Sequence, residues 1–307
     1  QRAALTRQVE RLGRGAGVEG FRGGDEWLSL ASKEDVALNS RPCCGVREDG
    51  SIMTVWLRFL HQGSTKFGMS DKDTIEVCAG DPFAGAQPTG ERLTLAAVAL
   101  LPPCQPTKMI GLWNNFSARA EVESLQRPEH PLWFVKTPNC FAAHGEMIRR
   151  PTGYAGPVVF EGELGIVIGK PCRSVSEAEA DRHILGYTCV NDVTARHILR
   201  SDASFPQWCR AKSFDTFGPF GPVIVTGLEP DTLTVKTLVN GMEKQNYPVA
   251  DMFFAPRAIV SRLSQDMTLM PGDIIACGTS LGAGPIEEGD LVEVVIEGVG
   301  RLANRFG

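Results

Sequence analysis

Short apolar runs of strand length recur along the chain, separated by glycine, proline and asparagine. They lie at 51–60, 92–101, 109–112, 132–135, 158–169, 232–239, 269–278, 291–296 and 301–305. Runs of this length that are rich in branched residues and bounded by turn residues predict β-strands. The Asn240-Gly241 pair that follows one of these runs predicts a tight hairpin turn.

Helical patterns are fewer and shorter. Ser176-Glu-Ala-Glu179 is a capping box, which predicts a short helix that begins after Ser176 and extends to about Leu185. The other predicted helices lie at 2–12, at 256–265 and between Asp192 and Arg200. Because strands outnumber helices and the helices are short, the pattern predicts a β-rich α+β fold and not a doubly wound sheet.

Prolines divide the chain into two parts. Pro102, Pro103 and Pro106 follow the predicted strand at 92–101 and place a soft domain boundary at about 103–108. We therefore expect a small N-terminal domain at 1–105 and a larger domain at 106–307. Strand signals are denser in the second part.

Composition narrows the class of protein. The 307 residues are 43% hydrophobic and 22% charged, as in ordinary globular proteins, and the net charge of −5 disfavours nucleic acid and anionic membrane as partners. No apolar run approaches the roughly 20 residues that span a bilayer. The chain starts with Gln and no apolar signal core follows, so we expect a trimmed N-terminus. Nine cysteines without C-x-x-C spacing indicate reduced usage and predict a cytoplasmic protein.

Two carboxylates stand inside one apolar strand. Glu161 and Glu163 are two positions apart in the run at 158–169, so they share one face of the strand, and its apolar flanks indicate burial on both sides. Asp192 follows another apolar run. A set of three carboxylates suits an oxygen-preferring ion, Mg²⁺ or Mn²⁺, with Ca²⁺ as a further candidate. The alternative is a solvated glutamate pair on an edge strand.

Two cations accompany these acids. Arg196 is four residues after Asp192 and would share its face on a helical turn. Lys212 lies between aromatic residues in its own segment and is a candidate to orient a carboxylate or an enolate oxygen. Alternatively, Lys212 is a surface lysine, or a simple ion-pair partner of Asp215.

A glycine-rich turn at 278–285 follows the predicted strand at 269–278. It lacks the spacing of a phosphate-binding or dinucleotide-binding loop. Its backbone N–H groups and the Thr279 hydroxyl could hold a carboxylate, although a purely structural loop is the alternative. None of the five histidines has metal-ligand spacing with another, and only His197 is close in sequence to the acids.

Four segments together resemble one known family, the fumarylacetoacetate hydrolase superfamily. They are 161–169, 186–196, 211–219 and 271–279, and the resemblance extends over about residues 100–307. It implies a β-roll core behind a smaller N-terminal domain, and usually a homodimer. It also implies a metal held by Glu161, Glu163 and Asp192, with a small 2-oxo or diketo acid as substrate. The residues implied to bind the substrate or stabilise its charge are Arg196, Lys212 and Thr279.

One segment departs from the family pattern. Hydrolases of the family carry a His–Glu pair on a lid, where it activates water. Here Arg119 stands at the histidine position and Val122 at the glutamate position. Arginine is not a general base near neutral pH. We therefore predict that Glu121, with Glu123 as its alternative, takes the catalytic place beside Lys212, and we keep His144 as a rescue candidate.

Three functions fit these residues. The leading prediction is metal-dependent hydrolysis of a C–C bond in an acylpyruvate-like or diketo acid, of the kind used in aromatic catabolism. The same metal site could instead serve a decarboxylase, a tautomerase or a dienoate isomerase, which the lost His–Glu pair favours. A third alternative is a catalytically silent member that binds a metabolite.

Overall fold

The computed structural model describes residues 45–46 and 52–307. The helix predicted at 2–12 lies outside these residues. The strands are β1 Gly45–Val46, β2 Ile52–Met53, β3 Val55–His61, β4 Ser64–Asp71, β5 Thr74–Ala79, β6 Gln87–Thr94, β7 Ala99–Leu101, β8 Met109–Trp113, β9 Leu132–Lys136, β10 Phe141–Ala142, β11 Val158–Phe160, β12 Gly162–Ile168, β13 Ile184–Asn191, β14 Thr194–Ala195, β15 Gly218–Val225, β16 Thr234–Val239, β17 Met242–Pro248, β18 Ile274–Ala276, β19 Gly284–Ile286, β20 Leu291–Ile296 and β21 Gly300–Arg305.

The helices are short. They are α1 Ser117–Val122, α2 Glu177–Ala180, α3 Arg196–Leu199, α4 Trp208–Lys212 and α5 Pro256–Asp266. Single 3₁₀ turns lie at Leu95–Ala97, Pro138–Cys140, Asp181–His183, Pro230–Thr232 and Val249–Asp251. The predicted β-rich α+β fold is confirmed. Among the described residues, the helices are all too short for a membrane span, α5 with its 11 residues included.

A 12-stranded mixed sheet forms the frame of the molecule, with the order β6-β5-β4-β3-β15-β13-β12-β18-β8-β9 and with β7 and β10 attached to β3 and β15. Strands β3 to β7 of the leading part belong to this sheet, because β3 pairs with β15 at Val55↔Val225 and Trp56↔Ile224. The domain boundary at 103–108 remains a prediction. The described residues also form a four-stranded sheet, β17-β16-β20-β21, a three-stranded sheet, β14-β11-β19, and a two-stranded sheet, β1-β2.

The main core lies between the large sheet and the four-stranded sheet. Leu164 and Ile166 of β12 pack in one cluster with Val235 of β16 and Val294 of β20, and Leu263 of α5 belongs to the same cluster. Val167, on the opposite face of β12, packs in another cluster. Strand β12 is therefore covered on both faces, as its sequence predicts.

Several boundaries differ from prediction for reasons of pairing. The run at 92–101 is broken by the turn Leu95–Ala97, because β6 pairs with β5 whereas β7 pairs with β3. The run at 158–169 is divided at Glu161, since β11 pairs with β14 and β19 but β12 pairs with β13 and β18. The run at 269–278 keeps only Ile274–Ala276 as a strand.

The predicted capping box and hairpin are present. Glu179 accepts hydrogen bonds from the Ser176 backbone and hydroxyl, and the helix turns into a 3₁₀ turn at Asp181, short of the predicted end. Asn240 and Gly241 have positive φ values of 51° and 76°, as a two-residue turn between β16 and β17 requires.

Candidate active site

Strand pairing brings the three acids together. Glu161 connects β11 to β12, Glu163 lies in β12, and Asp192 follows β13. Because β12 and β13 are antiparallel with Gly162 opposite Asn191, the end of β13 lies beside Glu161, whose carbonyl accepts the Asp192 N–H at 2.8 Å. One carboxylate oxygen from each acid lies within 4.8 Å of the others.

Burial of this cluster raises the free-energy cost of keeping its carboxylates ionised. Glu163 and Asp192 are fully buried, whereas Glu161 is partly exposed. Burial first, and then the Asp192 and Glu161 carboxylates, raise the pKa of Glu163 well above its usual value. Glu163 Oε2 accepts the Gly278 N–H at 2.7 Å, but Oε1 has no hydrogen-bond partner. An unpaired buried acceptor of this kind costs about 1–3 kcal/mol or more.

Two buried lysines compensate part of the charge. Lys212 Nζ lies 2.6 Å from Glu161 Oε2 and also contacts Asp192 Oδ2, and Lys136 Nζ lies 2.7 Å from Asp192 Oδ1. Although burial opposes ionisation, these two ammonium groups hold the pKa of Asp192 below its usual value. Burial also opposes the charge of Lys212, but Asp192 and Glu161 keep its pKa well above the usual value.

Lys136 is a member of this cluster that was not predicted from the sequence. Its side chain is 0% exposed, and Nζ also donates hydrogen bonds to the carbonyls of Lys212 and Val193, at 2.5 and 3.4 Å. The signal was a lysine that ends the apolar run of β9, one position beyond the predicted strand. A lysine in that position usually reaches solvent, so the residue pattern alone did not reveal its burial.

Lys212 is a site residue and not a surface lysine. It ends α4 and is 2% exposed, so the surface alternative is wrong. Its Nζ lies 5.0 Å from the centre of the Phe134 ring, on which Trp208 stacks. The aromatic cover therefore comes from β9 and from the start of α4. Asp215 is bound by the Asn139 amide at 2.8 Å and does not pair with Lys212.

The donor set fits a hard divalent ion. Three carboxylates and two ammonium groups leave one net negative charge when all are ionised. The unpartnered Glu163 Oε1 is a buried oxygen that a cation would satisfy, and all candidate ligand atoms are oxygens, as Mg²⁺, Mn²⁺ and Ca²⁺ prefer. The residues present therefore fit such a metal.

The other two residues predicted to bind the substrate differ in burial, because Arg196 is exposed and Thr279 is buried. Asp192 precedes β14 and is not helical, so the prediction that Arg196 and Asp192 share one helical turn is wrong. Arg196 starts α3 with an exposed side chain. Thr279 is buried, and its hydroxyl donates to the Gly162 carbonyl at 3.0 Å and accepts from Gln245 Nε2 at 2.8 Å. Substrate binding by Arg196 and Thr279 remains a prediction.

The α1 segment carries an ion pair at the family's His–Glu location. Arg119 Nε contacts Glu123 Oε1 at 2.9 Å, and Arg119 Nη1 donates to the Thr279 carbonyl at 3.5 Å. The Val122 side chain is 69% exposed, and Glu121 is exposed on the same short helix. Arg119 therefore lies against the Gly278–Thr279 loop, and its guanidinium group is the ion-pair partner of the Glu123 carboxylate. The catalytic role of Glu121 remains a prediction.

Two histidines were candidates from the sequence, and the structure ties each of them to other residues. His144 Nδ1 accepts the Ala303 N–H at 3.1 Å, which ties its ring to β21. His197 is exposed on α3, where its backbone N–H donates to the Tyr154 hydroxyl at 3.0 Å.

The chain is similar in sequence to two named proteins. Protein Rv2993c of Mycobacterium tuberculosis is 42% identical over 242 residues, which cover 78% of this chain and 90% of that protein. Oxaloacetate tautomerase YisK of Bacillus subtilis is 38% identical over 190 residues, which cover 59% of this chain and 62% of that protein.

Solved structures share the fold. A 2-hydroxyhepta-2,4-diene-1,7-dioate isomerase from Mycobacterium marinum is 39% identical with a TM-score of 0.76, covering 82% of this chain and 98% of that chain. A maleylpyruvate hydrolase from Sphingobium sp. SYK-6, in complex with manganese (II) ion and pyruvate, is 27% identical with a TM-score of 0.68. This match also covers 82% of this chain and 98% of that chain.

Family models match both parts of the chain. The model described as Rv2993c-like, N-terminal, matches residues 56–103, and the model described as fumarylacetoacetate (FAA) hydrolase C-terminal matches residues 108–307. The second match contains the three acids, both buried lysines and Thr279. The match, the shared fold and the acidic cluster lead to one conclusion: the chain belongs to the fumarylacetoacetate hydrolase family.

Proposed function

We propose that the protein is a divalent-metal-dependent tautomerase or isomerase that moves a proton within a 2-oxo or 2,4-dioxo acid. The observation that carries this proposal is the pairing of Arg119 of α1 with Glu123, the residue after that helix, together with an intact acidic cluster. The acids can serve a reaction that passes through an enolate. The ion pair replaces the His–Glu pair with which the family's hydrolases activate water.

The chain's own residues supply the required groups. Glu161, Glu163 and Asp192 would hold the ion, which when bound acts as a Lewis acid towards the oxygens of a 2-oxo acid. Lys212 Nζ keeps its proton and places a fixed positive charge where an enolate oxygen would develop negative charge. Phe134 covers this ammonium group and limits its access to water. Glu121 is the candidate to take or return the carbon-bound proton.

The named relatives support proton transfer more than hydrolysis. The Bacillus subtilis protein is an oxaloacetate tautomerase, and the Mycobacterium marinum structure is a dienoate isomerase, at 38% and 39% identity. The maleylpyruvate hydrolase is 27% identical. Neither reaction type of the first two needs an activated water molecule.

Hydrolysis of a C–C bond in an acylpyruvate-like acid is the second candidate. The observation that favours it is the Glu121 carboxylate, which the short helix α1 leaves exposed next to Arg119. In this reaction Glu121 would activate the water, while Lys212 would stabilise the leaving enolate.

Products separate these reactions. The purified protein is incubated with Mg²⁺ or Mn²⁺ and a panel of oxaloacetate, acylpyruvates and dienoates, and products are followed by mass and by NMR. We expect isomers of unchanged mass. Cleavage to pyruvate and a second acid would instead establish a hydrolase, and release of CO₂ would establish a decarboxylase. Binding without any product would indicate a catalytically silent member.

The matched variants are Glu163→Gln and Glu293→Gln. Both replace a buried carboxylate, but Glu293 lies in β20, where it pairs with Arg301. Turnover should disappear in Glu163→Gln and in the presence of chelator, and it should persist in Glu293→Gln. Full activity of Glu163→Gln with chelator present would refute the metal centre.

A further inference from the structure

Both peptide units that connect the two glutamates are held from outside their own sheet. The N–H of Gly162, in the Glu161–Gly162 peptide, donates to Gln245 Oε1 at 3.0 Å. The carbonyl of Gly162, in the Gly162–Glu163 peptide, accepts the Tyr247 and Thr279 hydroxyls at 2.5 and 3.0 Å. Gln245 and Tyr247 belong to β17, in the four-stranded sheet.

Gln245 connects three parts of the molecule through one buried amide. Its Oε1 also accepts the Thr237 hydroxyl at 2.9 Å, and its Nε2 donates to Thr279 Oγ1 at 2.8 Å. The same Nε2 contacts the carbonyls of Ser280 and Leu281 at 3.4 and 3.3 Å. An amide is suited to this place because it accepts on the side of the acidic strand and donates on the side of the Gly278–Thr279 loop.

The strand and the hairpin are in direct contact at Gly162. A Cβ atom on Gly162 would lie 2.0 Å from Thr237 Oγ1 and 3.3 Å from Gln245 Oε1, so no side chain fits there. Successive residues of a strand point to opposite faces. Gly162 therefore faces the hairpin β16–β17, while Glu161 and Glu163 face the acidic cluster.

This arrangement opposes a specific force. Three mutually repelling carboxylates, two of them buried, would separate if their backbone could move. A hard divalent ion needs several oxygens at about 2.0–2.6 Å from it. Fixing the peptides on both sides of Gly162 limits how far the Glu161 and Glu163 side chains can separate.

We propose that Gln245 and Tyr247 are positioning residues, which hold the Gly162 backbone so that Glu161 and Glu163 are spaced for a divalent ion. This inference rests on the metal centre of the proposed function. It does not depend on which reaction follows. It also assigns the Thr279 hydroxyl to the same network, because its single proton is given to the Gly162 carbonyl.

Mn²⁺ binding to the full chain tests this role. The variants are Gln245→Met, which keeps the length of the side chain without its amide, and Tyr247→Phe, which removes only the hydroxyl. Tyr187→Phe is the control, since Tyr187 is a buried tyrosine of β13 in the same core. Electron paramagnetic resonance gives the Kd from free Mn²⁺ and the spectrum of the bound ion, and thermal unfolding of the metal-free protein shows whether each variant folds.

We expect Gln245→Met to weaken Mn²⁺ binding by about 10- to 100-fold, as is typical when a group that orients a ligand is removed. Tyr247→Phe should weaken it less, because Thr279 still donates to the Gly162 carbonyl, and both variants should change the bound-ion spectrum. Tyr187→Phe should bind as the wild type does. If Gln245→Met does not fold, Tyr247→Phe alone decides.

Wild-type Kd and spectrum in folded Gln245→Met and Tyr247→Phe would overturn the positioning role and leave the proposed function intact. A wild-type chain that does not bind Mn²⁺ would overturn the metal centre itself, and the positioning role with it. Normal Mn²⁺ binding by the wild type without turnover would refute only the proposed reaction.

Discussion

Removal of the Lys136 ammonium tests the electrostatic account of the acidic cluster. In Lys136→Met a side chain of similar length remains in the core, but Asp192 Oδ1 loses the cation 2.7 Å away. The carbonyls of Lys212 and Val193 lose a hydrogen-bond donor as well. Breaking a buried pair by removing one partner typically costs about 3–5 kcal/mol.

The expected loss is large relative to total stability. Single domains unfold with about 5–15 kcal/mol, so about 3–5 kcal/mol is a substantial fraction. Each kcal/mol corresponds to about 2 °C in Tm for a chain of this size, which predicts a decrease of at least about 6 °C. Chemical denaturation of the metal-free protein measures the free energy of unfolding, and calorimetry measures Tm.

Lys108→Met is the matched control. Lys108 also pairs with a buried aspartate, Asp273, but the lysine is partly exposed. After its removal, Asp273 keeps hydrogen bonds from the Thr107 backbone and hydroxyl and from the Met270 N–H. We expect a loss of about 1 kcal/mol in this variant. Equal losses in Lys108→Met and Lys136→Met would refute the claim that the buried charge of Asp192 needs Lys136 in addition to Lys212.

Two further changes test the same site. Glu163→Gln removes a carboxylate whose pKa is raised by burial and by its acidic neighbours. Near neutral pH the metal-free variant should therefore be more stable than the wild type in a denaturation experiment, and it should no longer bind Mn²⁺ in a calorimetric titration; reduced stability would contradict this. Gly162→Ala should lower the free energy of unfolding by about 1–3 kcal/mol, because the new Cβ atom would collide with Thr237 Oγ1. Adding Thr237→Ala to the same chain should restore part of that loss in a denaturation experiment. No recovery in the double variant would show that the strain does not come from this contact.

Local pattern was enough to predict the acids and several elements. The spacing of Glu161 and Glu163 in an apolar strand predicted a shared face, and the structure brings both together with Asp192. The capping box at Ser176, the Asn240-Gly241 hairpin and the helix from Pro256 are also present. In each case the signal and its consequence lie within a few residues of one another.

The partners of the acids were not predictable in this way. Lys136 reaches Asp192 from β9, and Gln245 reaches Gly162 from a different sheet. Both contacts depend on the order of strands in the sheets, which periodicity does not specify. Arg196 was misplaced because the short strand β14, which pairs with β11, separates Asp192 from the helix.

The proposed reaction moves a proton at the carbon next to a 2-oxo group by means of the three-acid metal site. The most direct measurement is NMR of a 2-oxo dicarboxylic acid in D₂O with Mg²⁺, following deuterium uptake at C3 against buffer, chelator and Glu163→Gln. We expect rapid exchange with the carbon skeleton unchanged, and only when both the metal and Glu163 are present. Cleavage of the skeleton without exchange of intact substrate, or exchange at the buffer rate, would contradict it.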